Sequence, residues 1–411
     1  MKFCTQMLKE YQLRSTKTRM LSITIVLVFF GQLVTASEDD KALISTLSEF
    51  SQRLYYVIGR KEANIVFSPH SVHSLLTLAS KGAREPTAEV MKEALGITSL
   101  GDSVHSTYQD ISREVRYPDS VQLGLGNGIF VKPGFTIDEN FDQDAQSYYA
   151  AAVENINLGY PGGPEIPINE YIAMETQNNI QDLLSQGTIN DNTRMLLVSV
   201  LLFRGSWKQQ FDREETVQQT FHTDISATKV LDMMHDARTM RIKRDDDNQV
   251  DVGELCFEGD TYCLYIAIPQ RIVTFMSLEN SLAQPNRVSS LFEGLNDVYV
   301  ELVVPKFKIE TQLNLKSALT ELGFGDIFDE DSADFSGIGS SDLYIHDVIH
   351  KAVFEVTEDG TFGTAATVAD GSGKSLSTSP PLERFIVDRP FIYFLRNKNT
   401  GHILLQGKFS G

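Results

Sequence analysis

The sequence predicts an α+β fold built on one continuous core. Three observations carry this expectation. Apolar residues at helical spacing crowd the first half of the chain, and strand-like segments crowd the second. Neither internal repeats nor a long linker divides them. With 411 residues, 42% of them hydrophobic, the chain can bury a large core.

The elements follow in order. Residues 41–59 place Leu43, Leu47, Phe50, Leu54, Tyr55 and Ile58 on one helical face. Residues 64–67 read as a short strand. Ser68-Pro69 then opens a helix through 79, with proline at a favoured first-turn position. A helix over 87–95 takes Thr87 as its cap. A strand over 121–131, a helix over 138–147 and a longer helix over 168–184 come next. The almost unbroken apolar run 195–203 is typical of a central strand buried on both faces. Strands are expected at 250–257, 263–268 and 298–304, and a helix over 313–322 with Gly323 as its stop. Strands return at 349–356, 391–395 and 402–409. Pro161-Gly-Gly-Pro164 reads as a surface loop rather than a domain boundary.

Charge and leader narrow the function classes. A basic stretch precedes an apolar run of about 14 residues, 21–34, which ends in small residues at Val34-Thr35-Ala36. This pattern predicts a secretory signal over 1–36, removed to leave a mature chain of 37–411, secreted and extracellular. Met20 as the working start would give a compact leader. No other stretch approaches ~18 apolar residues, so no membrane-spanning helix is expected. The formal charge is −19, and residues 1–36 carry +4, which leaves −23 on the mature part. Such a surface argues against nucleic acid and heparin as partners. The eight histidines are scattered and no His-Glu-X-X-His motif occurs. No cofactor, no metal site and no enzymatic activity are therefore expected.

Of three cysteines, Cys4 leaves with the leader. If 258–261 is a four-residue hairpin loop, Cys256 faces Cys263. A disulfide and two buried free thiols are both open for this pair.

The most informative segment is 358–375, Glu-Asp-Gly-Thr-Phe-Gly-Thr-Ala-Ala-Thr-Val-Ala-Asp-Gly-Ser-Gly-Lys-Ser. As a strand, it would alternate its side chains between two faces. Thr361, Gly363, Ala365, Thr367, Ala369 and Gly371 share one face, and all are small. Phe362, Ala366 and Asp370 fall on the other. A strand sliding between two existing strands must bury one face at little steric cost, and this sequence has that pattern. A flexible Gly/Ser/Ala linker gives no reason for the alternation. Gly371-Ser-Gly-Lys374-Ser375 also resembles the end of a nucleotide-binding P-loop. However, that motif would need glycine where Val368 stands, and no helix can start promptly in the Ser-Pro-Pro stretch that follows.

The small-residue run, followed by Phe385-Ile-Val-Asp-Arg-Pro-Phe-Ile-Tyr-Phe-Leu395, resembles the reactive loop and C-terminal signature of the serpins. The resemblance extends over about 40–411. It includes Asn64-Ile-Val-Phe-Ser-Pro-His-Ser71, Asn127-Gly-Ile-Phe-Val131, Asp191-Asn-Thr-Arg-Met-Leu-Leu-Val198, Phe203-Arg-Gly-Ser-Trp207, Val304-Pro-Lys-Phe-Lys-Ile309 and Ala333-Asp-Phe-Ser-Gly-Ile338. It implies three β-sheets, about nine helices and an exposed reactive loop at about 358–384. Most serpins are suicide inhibitors of serine proteases, and the resemblance implies a monomer that traps its protease covalently.

Family counting places the reactive bond fourteen residues after Gly360, at Lys374-Ser375. A basic residue there suits trypsin-like proteases. Arg384 is a weaker alternative that lengthens the loop by ten residues. The resemblance assigns the hinge to Glu358, Gly360, Thr361, Gly363, Ala365 and Ala366, with a salt bridge from Lys306 to Glu358. Trp207 matches the residue that caps the point where the loop enters the sheet. Ser68, Ser71 and His350 match the polar cluster where the strands part, and Ser199 occupies a further position in it. Ser199 stands where the family usually has Asn, Phe362 where it has Glu, and Gly363 where it has Ala. Ser199 implies a looser lock and Gly363 slower insertion, whereas Phe362 faces outward after insertion and should be tolerated; slow insertion turns an inhibitor into a substrate. A non-inhibitory serpin, acting as carrier, chaperone or storage protein, is the alternative reading.

Overall fold

The computed structural model describes residues 37–116, 120–284, 286–339, 343–361 and 383–411. Helix α1 (Glu38–Ile58) starts at Ser37, whose hydroxyl accepts from the Asp40 N–H while the Asp40 carboxylate accepts from the Ser37 N–H. It buries Leu43, Leu47, Phe50 and Leu54. After β1 (Ile65–Phe67) comes α2 (Pro69–Gly82), capped by the Ser68 hydroxyl and buried almost all round. Helix α3 (Thr87–Leu95) lacks the expected Thr87 cap. Its first flanking residue is Pro86, and the Thr87 hydroxyl instead accepts from the Asp334 N–H at 2.9 Å. Helices α4 (Ser103–Arg116) and α5 (Glu139–Tyr149) flank β2 (Gln122–Val131), and β3 (Ala152–Asn155) follows.

Helix α6 (Glu165–Glu175) is shorter than the periodicity predicts. The Thr176 hydroxyl donates to the Ile172 carbonyl and accepts from the Ile180 N–H, and Gln177 and Asn178 take positive φ. That side-chain competition ends the helix. Ile180, Leu183 and Leu184 still pack beneath it. The expected helix over 313–322 is displaced. Strand β10 (Phe307–Asn314) takes its first residues, and α9 (Lys316–Leu319) starts only after the Asn314 carboxamide accepts from the Lys316 N–H.

The remaining elements are β4 (Met195–Ser206), β5 (Val217–His222), β6 (Thr228–Asp245), β7 (Val250–Cys256), β8 (Tyr262–Pro269), α7 (Phe275–Ser281), α8 (Arg287–Leu291) and β9 (Asn296–Pro305). Then come β11 (Ile345–Val356), β12 (Gly360–Thr361), β13 (Glu383–Ile386), β14 (Phe391–Asn397) and β15 (Ile403–Phe409). Nine α-helices are present among the described residues. The strands form a six-stranded sheet, β10-β11-β4-β2-β3 with β12 on β4, and a nine-stranded sheet, β1-β15-β14-β8-β7-β6-β9-β13 with β5 on β6. The third sheet of the expectation is the β5/β6/β9/β13 end of the larger one. It stays hydrogen-bonded to the rest because β6 runs 18 residues without a break.

Strand β4 is buried on both faces, as its apolar run predicts. Met195, Leu197, Leu201 and Phe203 enter the main core. Leu196, Val198, Val200 and Leu202 enter a second core under α6. Strand β4 is antiparallel to β2 but parallel to β11. The parallel ladder runs from Met195↔Ile345 to Leu202↔Val353, and above Leu202 the two strands part.

Candidate functional site

The parted ends of β4 and β11 form a mouth, and β12 occupies it. The chain leaves β11, turns through Thr357–Gly360, and lays Gly360 and Thr361 antiparallel against Ser206 and Gly205. The turn is closed by reciprocal backbone bonds between Thr357 and Gly360, reinforced by the Thr357 hydroxyl on the Gly360 carbonyl at 2.8 Å. Gly360 has φ 143, and a Cβ there would collide with the Gly205 carbonyl. Glycine is thus required at this position on two counts. Thr361 is buried, and its hydroxyl accepts from the Gly205 N–H at 2.7 Å.

Each residue of the turn is tied down. The Glu358 carboxylate meets Lys306 Nζ at 2.9 Å and accepts from the Thr216 hydroxyl at 2.9 Å. Burial alone would raise its pKa, but Lys306 and the hydrogen bonds outweigh burial and hold it below the usual value. The Glu358 carbonyl accepts from the Phe211 N–H at 2.9 Å. Asp359 pairs with Arg213.

Trp207 stands directly beyond the end of β4 and is fully buried. Its indole N–H donates to the Thr357 carbonyl at 2.8 Å, and its backbone N–H to the Asp359 carbonyl at 2.9 Å. Its ring stacks on Phe257 at 4.3 Å with an interplanar angle of 13°. Phe257 belongs to the β7–β8 hairpin tip. At the base of that tip Cys256 and Cys263 face one another in register and are joined by a disulfide, which decides between the two states open from sequence.

Midway down the parallel ladder lies a buried polar row. His350 on β11, Ser199 on β4 and Asn127 on β2 are direct cross-strand neighbours. His350 Nε2 accepts from the Ser68 N–H at 2.9 Å, so Nδ1 carries the proton and donates to the Ser199 carbonyl at 3.0 Å. Burial pushes this imidazole down to about 4, against the Ser199 bond that favours its charged form. The Ser71 hydroxyl donates to that of Ser68 at 2.9 Å, and the Asn127 amide donates to the Ser74 hydroxyl at 3.2 Å. Asn127 Oδ1 is buried without a partner.

The structure therefore gathers the sequence-derived residues into two groups. Glu358, Gly360, Thr361, Lys306 and Trp207 meet at the mouth; Ser68, Ser71, Ser199 and His350 meet in the row below. Gly363, Ala365, Ala366, Lys374 and Ser375 lie outside the described residues. Arg384 sits in β13, paired with Glu301 at 2.9 Å, and its carbonyl accepts from Arg244. Sequence reasoning missed Asn127, Arg213, Thr216 and Thr357. A lone amide between Gly126 and Gly128 inside a buried strand was a readable signal for Asn127. No local pattern marks the other three. Among the described residues, the one grouping of three metal-ligating side chains is Glu254, Cys256 and Cys263, and both sulfurs are already bonded to each other. No helix among the described residues is long and apolar enough to cross a membrane.

A protein-family model, "Serpin (serine protease inhibitor)", matches residues 45–411. Serpin B3 of Homo sapiens is 29% identical over 369 residues, covering 85% of this chain and 94% of that protein. The leukocyte elastase inhibitor of Xenopus tropicalis is 29% identical, covering 90% of this chain and 99% of that protein. Among solved structures, Serpin48 of the insect Tenebrio molitor superposes with a TM-score of 0.82 at 28% identity, over 91% of this chain and 99% of that one. Uncleaved ovalbumin superposes at 0.81 with 23% identity, over 90% and 100%, and shows likeness of fold.

Proposed function

Because this chain belongs to the serpin family, we propose that it is a secreted suicide inhibitor of trypsin-like serine proteases, with Lys374-Ser375 as its bait bond. The observation that carries this reading is the register at the mouth. Gly360 and Thr361 already pair with Ser206 and Gly205. Continued residue by residue, that register sets Ala365 against Leu201, Thr367 against Ser199 and Gly371 against Met195, the first residue of β4. The face shared with Thr361 is the one on which every residue is small, and Thr361 itself is buried. The loop thus has a strand's worth of compatible residues before Lys374. Inserted over that length, at ~3.3 Å per residue, it would carry its cut end on the order of 40 Å.

Insertion has a definable cost and return. The strand must split the eight parallel pairs joining β4 to β11, including the His350–Ser199 contact. Two antiparallel ladders replace that one parallel ladder, a net gain of one. Thr367, arriving opposite Ser199, brings a hydroxyl to the spot where His350 loses its partner, so the buried imidazole need not stay unpaired.

The chemistry belongs to the protease. Its serine oxygen attacks the Lys374 carbonyl, the amide bond to Ser375 breaks, and the Ser375 amine leaves with a proton. The Lys374 acyl group stays on the protease as an ester. Loop insertion then drags the protease away and distorts its oxyanion hole, so water cannot complete deacylation. Residues 37–411 act in this as one domain and as a monomer. Arg384 is a poor bait because its carbonyl is bound by Arg244 within β13. The disulfide fits an oxidising compartment, in keeping with the leader.

Incubation with a panel of trypsin-like proteases tests the reading. An SDS-stable complex and a new N-terminus at Ser375 are expected, and Lys374→Ala should lose inhibition of trypsin. Clean cleavage after Lys374 with no complex would favour a non-inhibitory serpin. Unchanged inhibition by Lys374→Ala would place the bait elsewhere.

A further inference from the structure

The segment Ser206–Lys208 is held from two sides. On one side lies the hinge turn, through Trp207, Gly360 and Thr361 as described. On the other lies the base of the β7–β8 hairpin. The Lys208 N–H donates to the Cys256 carbonyl at 3.0 Å, the Glu258 N–H to the Ser206 carbonyl at 2.9 Å, and Phe257 forms the floor under the indole. Lys208 also pairs with Asp260 at the hairpin tip. Every one of these contacts comes from residues 256–260, the stretch that the Cys256–Cys263 disulfide closes off. The bond lies where the hairpin's ladder ends and its tip begins. It therefore fixes the platform on which the mouth of the sheet is built.

The same bond can be reached. Cys256 is half-buried, whereas Cys263 is fully buried. Cys256 forms part of the wall of an open cleft of about 610 Å³ whose charged lining is Lys208, Arg238, Arg241 and Lys398 with Glu254, Asp260 and Asp297. The Glu254 carboxylate nearest the sulfur is already engaged by Arg241 at 3.0 Å, Lys398 at 3.3 Å and the Tyr265 hydroxyl at 2.8 Å. With four cations against three carboxylates, the lining carries no net negative charge to repel a thiolate, which is the attacking species in disulfide exchange.

We propose that the Cys256–Cys263 disulfide is a redox lever on the mouth of the sheet, and that its reduction by a dithiol makes the protein a poorer trap. This proposal rests on the inhibitor reading above. A thiolate of the dithiol attacks Cys256 Sγ, the S–S bond breaks, and the Cys263 sulfur leaves and takes a proton. The second thiol then displaces Cys256, so that two electrons pass to the protein and the dithiol becomes a disulfide. With the platform loosened, Gly205 and Ser206 no longer present a fixed edge to the loop. The pairs that must follow Thr361 then form more slowly, and deacylation overtakes insertion.

Trp207 is the chain's one tryptophan and rests on the residue next to Cys256, so its emission reads the platform directly. The test compares the folded oxidised protein, the same protein reduced with dithiothreitol and freed of reagent, and the reoxidised protein, with thiol labelling to count two released sulfhydryls. The Cys256→Ser/Cys263→Ser variant serves as a second reduced form. Reduction should shift Trp207 emission, speed hydrogen exchange at the Trp207 and Thr361 amides, and raise the moles of inhibitor consumed per mole of protease several-fold, all reversed by reoxidation. Complete reduction with unchanged emission and exchange would overturn the lever. So would shifted emission with unchanged stoichiometry. If the oxidised protein traps no protease, the inhibitor reading fails by itself, and emission and exchange still decide whether the bond controls the mouth.

Discussion

The mouth of the six-stranded sheet and the polar row beneath it differ in how tightly they are determined. At the mouth, four of the five residues 357–361 are bound by partners from other elements, namely Trp207, Lys306, Thr216, Phe211, Arg213 and Gly205, and the fifth, Gly360, lies in register with Ser206. The row, by contrast, joins β4 and β11 through one imidazole, with a serine as its partner and one amide oxygen left unpaired. On the inhibitor reading proposed above, the difference gives the two regions separate tasks. The tightly bound mouth would fix where a new strand starts and in which register. The sparse row would set how readily the ladder below it opens.

The largest effect is expected at the mouth. Thr361→Arg puts a charge where a buried hydroxyl now accepts from Gly205. Burying an unpaired guanidinium costs several kcal/mol, so the first pair of the strand cannot form. The variant should be cleaved as a substrate with no SDS-stable complex. A full yield of complex would show that the start of insertion is not fixed there.

The next effect belongs to the row and is read by pH. His350 is neutral in the fold, with its pKa pushed down to about 4 by burial, whereas the unfolded chain binds its proton near pH 6.5. The unfolded state therefore holds more protons between those values, and stability falls as pH drops from about 6.5 towards 4. The loss for this one group is about 3 kcal/mol. Burial also lowers His70, His73, His105 and His402. His350→Gln should accordingly reduce the loss between pH 7 and 4.5, measured by urea unfolding, without abolishing it. An unchanged pH slope would remove His350 from the account. The smallest effect is again at the row: Ser199→Asn adds a second donor and a longer reach beside His350 and Asn127. It should stabilise the intact form by about 1 kcal/mol and slow any spontaneous loss of activity. Faster loss would mean that the row is not what restrains opening.

Much of the mouth was legible because it is written in short, chemically specific stretches. Glycine at 360 is demanded by backbone geometry, and the register that sets Cys256 opposite Cys263 followed from the length of one hairpin loop, although the bond itself did not. Lys306 and Glu358, though far apart in sequence, were named through the family resemblance, and the structure places them in contact. Arg213, Thr216 and Thr357 were not legible. They are ordinary polar residues until β12 folds back over the end of β4, and nothing local announces that contact. The misplaced helices failed for a related reason. Thr176 ends α6 with its side chain, and β10 claims Leu313 through pairing with β11, both of which override helical spacing. The union of two expected sheets through β6 is likewise a tertiary outcome, since no sequence pattern marks where an 18-residue strand changes partners.

On the inhibitor reading, the intact molecule holds its loop short of a more stable arrangement, and the decisive measurement is to heat intact protein beside protein nicked at Lys374. The nicked form, its loop now paired along β4, should unfold at a markedly higher temperature. Coincident transitions would overturn the reading.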